Sequence, residues 1–287
     1  MDMRSKLRSF YVVLAGMGLI AASHDLRAAT ITLPAVQDAT LFGGADANSN
    51  TSLSDPGIFV GTDGATNPKR GLIEFNIAGN IPAGATITSV TMQLTVGQAA
   101  GTSGNGGTLA SATTISLFNE SQAWGQPTNV AGSTSFMGMG HGKAAKTGDA
   151  TWNDSFYSTT SPTPTPTTWT TAGGDWSSSL TDLADATSTG SPAAVTWSST
   201  AMVTDVQNWL NNPSTNFGWL LKNSDETDAT DYLAFWSAQG AAADSNSSLA
   251  PALSITYTPV PEPTSLMLMT IAIPILAARR RRPIETR

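Results

Sequence analysis

The sequence predicts an all-β fold, and two observations indicate it. Short apolar runs bounded by Gly, Asn and Asp recur along the chain, as is typical of strands between turns. From Val90 to Val96 apolar and polar residues alternate, which is the pattern of a strand with one buried face. The chain has no cysteine, so the core must hold the fold without disulfides.

The predicted strands account for most of the regular structure. They are Asp38–Phe42, Ile58–Thr62, Arg70–Ile77, Val90–Val96, Ile115–Leu117, Gly218–Lys222, Tyr232–Trp236 and Leu253–Tyr257. Between residues 119 and 193 the hydrophobic period fades, and residues 158–171 are rich in Thr, Ser and Pro, so we expect long loops with one or two short strands there. About ten strands with long loops predict a jelly-roll-like β-sandwich.

One short helix is predicted from Ser199 to Leu210. Ser199 or Thr200 can cap its first turn, and Pro213 prevents it from continuing. Its apolar residues fall on one side of a helix, as expected if that side faces the core. They are Met202, Val203, Val206, Trp209 and Leu210.

The first 29 residues have the features of a secretory signal peptide. Basic residues precede an apolar stretch from Phe10 to Ala22, and cleavage after Ser23, Ala28 or Ala29 fits the small residues that follow. The remaining body, from residue 30 to 258, is predicted to be a single β-sandwich domain. Residues 30–260 hold five basic and 17 acidic residues, a net charge near −12, which disfavours nucleic acid and anionic lipid as partners.

Residues 259–287 predict a membrane stop. The prolines around Pro261-Glu262-Pro263 are followed by an apolar segment, residues 264–278, and by the cluster Arg279, Arg280, Arg281 and Arg282. The segment has 15 residues, whereas a bilayer core asks for about 20, and Pro274 interrupts it. Such a short helix suits a temporary anchor with its basic end in the cytoplasm.

This order of motif, apolar helix and arginine cluster resembles the PEP-CTERM sorting signal of exosortase-bearing Gram-negative bacteria. The resemblance implies that signal peptidase and the secretion machinery export the chain, and that an exosortase then processes it near Pro261, Glu262 and Pro263. The protein would then pass through the inner membrane transiently and finish at the cell surface or in the extracellular matrix. An ordinary C-terminal anchor is the alternative.

The body also resembles DNRLRE-type domains, which are related to the family 96 carbohydrate-binding modules. Seven segments occur in the family's order: Arg70–Ile77, Ile81–Leu94, Ala150–Asn153, Gly173–Trp176, Val203–Trp209, Asn216–Lys222 and Pro251–Tyr257. The resemblance implies a sandwich that binds polysaccharide. The chain departs from the family at Glu74, near which relatives often carry a basic residue, so a contact to an acidic sugar is not implied.

No catalytic constellation is visible in the sequence, and we expect a protein that is not an enzyme. His141 is the only histidine outside the leader and lies in a glycine-rich loop, a poor place for a triad base. One histidine and no cysteine disfavour zinc. Nothing in the sequence marks two of the three glutamates of the body as a catalytic pair.

Two groups of residues are candidates for ligand contact. Asp225, Glu226, Asp228 and Asp231 are weak candidates for calcium, with a solvated acidic turn as the alternative; no other cofactor is expected. Trp124, Trp152, Trp169 and Trp176 lie in polar sequence and are candidates for stacking on sugar rings, with packing of the loops as the alternative. Trp197, Trp209 and Trp219 lie in apolar patterns and are expected in the core.

The sequence therefore predicts an exported, non-catalytic surface or matrix protein that binds carbohydrate. A structural or adhesive matrix protein without a glycan site is the first alternative. A polysaccharide-degrading enzyme is the second.

Overall fold

The alternating segment from Val90 to Val96 lies in a fourteen-residue strand, Thr86–Ala99, and its apolar side chains all point to one buried face. This was expected, because side chains of a strand alternate between the two faces of its sheet. The computed structural model describes residues 27–50, 57–62, 67–99, 113–127, 142–160, 165–186, 193–227 and 231–260.

The described part of the chain contains fourteen strands and two α-helices. The strands are β1 (Ala29–Phe42), β2 (Ser49–Asn50), β3 (Ile58–Thr62), β4 (Pro68–Phe75), β5 (Thr86–Ala99), β6 (Thr113–Glu120), β7 (Lys143–Ala144), β8 (Asp154–Phe156), β9 (Thr167–Thr168), β10 (Trp176–Ala186), β11 (Ala193–Trp197), β12 (Trp219–Asn223), β13 (Leu233–Phe235) and β14 (Ala252–Thr258). The helices are α1 (Thr200–Asn211) and α2 (Ala238–Ala243). Three short 3₁₀ turns occupy Gly44–Asp46, Pro213–Thr215 and Ser247–Leu249.

The strands form an antiparallel β-sandwich whose two sheets share strands β1 and β3. Sheet I contains the first half of β1, then β14 and β5, with β11 on the other side of β5 and with β13 and β3 at its far end. Sheet II contains the second half of β1, then β4, β12, β6 and β10. The strand β1 changes sheets next to an irregularity between Ala35 and Gln37.

The main hydrophobic core lies between the two sheets. It contains the inward-facing residues of β5, β6, β12 and β14, and α1 contributes Met202, Val206, Trp209 and Leu210. The rings of Trp209 and Trp219 pack with their centroids 4.6 Å apart. The prediction that Trp197, Trp209 and Trp219 belong to the core is confirmed, since each is at most 2% exposed.

The helix α1 lies where the sequence predicts it. Its N-terminus is capped by Ser199, whose Oγ accepts a hydrogen bond from the N–H of Met202 at 3.1 Å. The same hydroxyl donates to the carbonyl of Thr181 in β10 at 2.8 Å. Ser199 therefore provides a hydrogen-bond acceptor for a backbone N–H group in the first turn of the helix, and it links the helix to the edge of sheet II.

Two elements differ from the expectation. The prediction of loops with one or two short strands from 119 to 193 is wrong for residues 176–186, which form the eleven-residue edge strand β10. Register shifts near Leu180 break the alternation by which a strand is recognised. The six-residue helix α2 was not predicted, because its sequence has no apolar stripe of useful length.

Candidate functional site

Sheet II buries apolar side chains on both of its faces, which explains how the long loops are held. An apolar row crosses its outer face from strand to strand through the register partners Ala39, Leu72, Leu220, Phe118 and Leu180. The run Trp219-Leu220-Leu221 is fully buried, as expected for a strand covered on both sides. Segments 121–127, 142–160 and 165–175 supply the cover, and a second hydrophobic cluster forms beneath them.

Trp124 and Trp169 belong to this second cluster. They are 4% and 5% exposed, and their indole N–H groups donate to the carbonyls of Phe217 at 2.9 Å and of Thr151 at 2.8 Å. A buried indole normally satisfies its N–H in this way. These two candidates for ligand contact therefore pack the loops onto the sheet and leave almost no ring surface for a ligand.

Arg70 stacks between the other two candidate tryptophans. Its guanidinium carbon lies 4.6 Å from the ring centroid of Trp152 and 4.7 Å from that of Trp176. Trp152 comes from the turn before β8, Trp176 begins β10, and Arg70 comes from β4 between Gly71 and Lys69. The stack thus fixes two parts of the loop cover to the middle of sheet II through cation–π contacts.

The remaining donors of Arg70 are directed at Glu226 and the chain. Nε and Nη2 donate to the two carboxylate oxygens of Glu226 at 2.8 and 2.9 Å, and Nη1 donates to the carbonyl of Gly173 at 2.9 Å. Lys222 lies 3.2 Å from the same carboxylate. Burial would raise the pKa of Glu226, but the hydrogen bonds and charges of Arg70 and Lys222 outweigh burial and hold that pKa below its usual value.

Gly173 has a conformation and a position that this stack requires. Its φ is +93°, and a Cβ atom there would collide with Nη1 of Arg70 and with the ring of Trp152. Only glycine adopts such a φ at little cost. The position of the Arg70 side chain therefore requires a glycine at residue 173, in the turn before β10.

An open groove of about 580 Å³ lies beside this stack, where β10 begins. Trp176 and Ser178 line one side, and the turns at 121–122 and 170–175 line the others. Apart from the indole and Gly174, the lining side chains are polar: Ser121, Gln122, Thr170, Thr171, Asp175 and Ser178. Trp176 lines the groove and is half-buried, so part of this residue stays accessible there.

Asp175 holds the walls of the groove together. Its carboxylate accepts the N–H groups of Thr170 at 2.7 Å and Thr171 at 2.9 Å. Its carbonyl accepts the N–H and the hydroxyl of Ser121 at 2.8 and 2.7 Å. The amide of Gln122 donates to the Ser155 hydroxyl at 2.6 Å. The polar surface of the groove is thus preorganised by hydrogen bonds, as binding sites usually are.

A smaller cavity of about 320 Å³ adjoins the groove at Ser121. Glu120 lies between the two and is fully buried. Its Oε1 accepts the N–H groups of Ser121 at 3.0 Å and Gln122 at 3.2 Å, while its Oε2 is without a partner in the described part of the chain. Burial, with a smaller contribution from the charge of Asp175, raises the pKa of Glu120 to about 8.

A second carboxyl group with a raised pKa lies on the same face of sheet II. Burial raises the pKa of Glu74 to about 7. Glu74 and Glu120 lie on the two strands that flank β12 beside Gly218, so their Cα atoms are separated by two strand spacings, about 10 Å. Glu120 lines the smaller cavity and not the groove.

The described acidic residues between 225 and 231 all have protein partners. Oδ1 of Asp225 accepts the N–H and hydroxyl of Thr227, and Oδ2 of Asp231 accepts the amide of Asn223. Glu226 pairs with Arg70, and Asp228 lies outside the described residues. Among the residues that are described, no group of three or more His, Asp or Glu side chains is placed to hold a metal ion.

The remaining predicted features lie outside the described residues. These are His141, most of the signal peptide, Pro261, Glu262, Pro263, the apolar segment 264–278 and the four arginines 279–282. Within the described ranges no helix is long and apolar enough to cross a membrane.

No model of a protein family and no curated protein matches the chain.

Sequence reasoning overlooked Arg70, Gln122 and Asp175. Arg70 carried a usable signal, since it alternates with Leu72 and Glu74 on one face of a strand whose other face holds Ile73 and Phe75. A buried arginine on such a face needs a carboxylate and aromatic neighbours, and Glu226, Trp152 and Trp176 supply them. Gln122 and Asp175 come from separate turns, and only the fold brings them together.

Proposed function

We propose that this protein is an exported, non-catalytic module that binds polysaccharide in the groove beside Trp176. The observation that carries the proposal is the partly buried Trp176, which lines the groove beside a row of polar side chains. Sugar rings combine apolar C–H faces with hydroxyl rims, and an indole with nearby hydroxyl, amide and carboxylate groups complements both.

The stack behind the groove supports this assignment. Arg70 and Glu226 hold Trp176 in one orientation before any ligand arrives. A ring that is already fixed loses little conformational entropy on binding, which favours affinity for a weakly held ligand such as a sugar. Trp152 contacts the arginine and is proposed as a support of the site rather than its surface.

The test compares two tryptophan substitutions in the full chain, purified in mild detergent. We expect Trp176→Ala to weaken retention on immobilised polysaccharides about tenfold, since loss of one ring contact is worth roughly 1 kcal/mol or more. Trp236→Ala is the control, because Trp236 is also half-buried but does not line the groove. Circular dichroism confirms that both variants fold. Full retention by a folded Trp176→Ala protein would exclude this groove.

A structural or adhesive role is a second candidate, and one observation favours it. The edge strand β10 exposes Leu180 at 44% and Leu183 at 49%, an apolar surface suited to association between copies. Multi-angle light scattering of the wild type and of Leu183→Lys distinguishes the two: a wild-type oligomer that the substitution dissociates favours assembly.

The proposed setting is the cell surface or extracellular matrix, reached through the PEP-CTERM-like signal. Signal peptidase and an exosortase are the proposed processing partners, and the inner membrane is the transient stop. The intact mass of the native protein tests this: a chain ending near residues 261–263 supports sorting, and a chain running to Arg287 supports an ordinary anchor. The jelly-roll-like wrapping of the sandwich and the weak calcium site also remain proposals.

Absence of enzymatic activity is part of the proposal. The carboxyl groups of Glu74 and Glu120 share a face of sheet II, but Glu120 is buried behind the groove wall. Incubation with the polysaccharides that the protein retains is expected to release no reducing ends or unsaturated sugars. Their appearance, and their loss in Glu120→Gln, would make the protein a hydrolase or lyase.

A further inference from the structure

The charges around the groove are arranged asymmetrically. Of the side chains that line it, Asp175 alone is ionisable, and the lining includes no lysine or arginine. An acidic sugar in the groove would therefore meet the carboxylate of Asp175, which is unfavourable in a partly desolvated site.

The positive charge of Arg70 does not make the groove attractive to anions. Arg70 is 8% exposed, and its guanidinium packs against the rings of both Trp152 and Trp176. Three of its N–H groups donate to Glu226 and Gly173. Arginine recognises a carboxylate or sulfate through an accessible pair of N–H groups. Arg70 presents no such pair to the groove.

Arg70 also acts against a cationic sugar. A ring attracts a cation through its π-face, and Trp176 already uses that attraction for Arg70. An ammonium group stacked on the exposed part of the same ring would be repelled by the guanidinium. The lining groups that remain are hydroxyls and an amide, which pair with neutral hydroxyl groups.

We infer that the groove selects neutral polysaccharides over both uronic acid polymers and amino-sugar polymers. The inference rests on the proposed glycan-binding function and adds the class of ligand. Ser121, Gln122, Thr170, Thr171 and Ser178 supply its hydrogen bonds, Trp176 supplies the stacking surface, and the carboxylate of Asp175 disfavours anions.

The experiment measures binding of the full chain to hydroxyethylcellulose and glucomannan, to alginate and polygalacturonate, and to chitosan. Long-range repulsion by the acidic surface is removed with about 0.5 M NaCl, where charges more than several ångströms apart are screened. We expect at least about tenfold stronger binding to a neutral polymer than to any acidic or cationic one under these conditions. Trp176→Ala should abolish that preference.

Matched lysine substitutions separate the groove from the net charge. Ser178 lines the groove and Ser179 does not, although both are exposed on β10. Ser178→Lys is expected to raise alginate binding about threefold or more, the size of a partly exposed ion pair, while Ser179→Lys leaves it unchanged. Thr171→Lys is the second groove variant, because its backbone N–H can still donate to Asp175.

Each outcome distinguishes the inference from the proposed function. Equal or stronger binding to alginate or chitosan in high salt, lost in Trp176→Ala, would overturn the inference and keep glycan binding. Equal gains for Ser178→Lys and Ser179→Lys, or none for both groove variants when they are folded, would also overturn it. Binding to no polymer would remove the proposed function and the inference together.

Discussion

The guanidinium carbon of Arg70 lies 4.7 Å from the ring centroid of Trp176, behind the wall of the groove. Arg70 belongs to the central part of sheet II and Trp176 to the first position of its edge strand. The contact therefore links the packing of the sheet to the one tryptophan among the four candidates that lines the groove. Changes at Arg70 are expected to affect both stability and binding.

Replacement of Arg70 by methionine is expected to lower the free energy of unfolding by about 3 kcal/mol, because it leaves the largely buried carboxylate of Glu226 without its main partner. For a domain of this size the midpoint of thermal unfolding should fall by roughly 6–12 °C. Arg70→Met combined with Glu226→Gln should recover part of the loss. Additive effects of the two substitutions would show that the pair does not interact energetically.

The cap of α1 gives a prediction with a matched control in the next residue. Ser199→Ala removes the hydrogen bond to the N–H of Met202 and the one to the carbonyl of Thr181. We expect a loss of about 1–2 kcal/mol in unfolding free energy, measured by denaturant titration. Thr200→Ala should change it by less than about 0.5 kcal/mol, since Ser199 and not Thr200 caps the helix. A larger effect at Thr200 would contradict this assignment.

Gly173 and Gly148 both have a positive φ, +93° and +97°, but differ in their surroundings. A Cβ atom at Gly148 would meet nothing within 4 Å, whereas at Gly173 it would displace Arg70 and Trp152. Gly148→Ala should therefore cost about 1–2 kcal/mol from backbone strain alone. Gly173→Ala should cost clearly more in thermal unfolding and should shift tryptophan fluorescence. Equal losses of stability in the two variants would show that Arg70 and Trp152 move aside at little energetic cost.

The stability of the protein should fall as the pH rises from about 5 to about 8. Burial raises the folded-state pKa of Glu120 to about 8, so the folded state keeps a proton that the unfolded chain releases above about 4.5. This contribution is fully present below the unfolded pKa and is lost as the pH rises through the folded pKa. Glu74, with a pKa of about 7, and Asp38, with a pKa of about 6, act in the same direction.

Glu120→Gln tests the share of Glu120 in this dependence. The amide cannot ionise. Between pH 5 and pH 8 the unfolding free energy of the variant should therefore fall by a few kcal/mol less than that of the wild type. Thermal unfolding at several pH values measures the difference, and Glu74→Gln serves as a comparison because Glu74 is more exposed. Parallel curves for wild type and Glu120→Gln would show that Glu120 is ionised in the folded protein at neutral pH.

The sandwich and its main core could be predicted because they depend on patterns within single elements. The alternation from Val90 to Val96 and the apolar side of α1 each indicate which residues face inward. The edge strand β10 could not be recognised, since its exposed Leu180 and Leu183 and its register shifts erase the alternation. Strand β1 runs from Ala29 to Phe42 and is longer than the apolar run that predicted it, because its two halves belong to different sheets.

The candidate site could be predicted only in part. Trp176 was among four tryptophans in polar sequence, but polarity of the neighbours did not separate it from Trp124 and Trp169, which the loops bury. That distinction depends on which strand face the loops cover, and this follows from contacts between segments far apart in sequence. The groove itself joins turns near residues 121 and 175 through the hydrogen bonds of Asp175.

Strand β14 also determines how the domain responds to a mechanical load. Strand β14 is antiparallel to both of its neighbours, with register pairs from Pro34–Ala252 to Ala29–Tyr257 on one side and from Gln93–Ala252 to Thr86–Thr258 on the other. A pull on Val260 along the strand would shear both ladders at once instead of opening one pair after another. We expect force spectroscopy to show a single high rupture force, so a glycan held in the groove could be retained under tension applied through the C-terminal end.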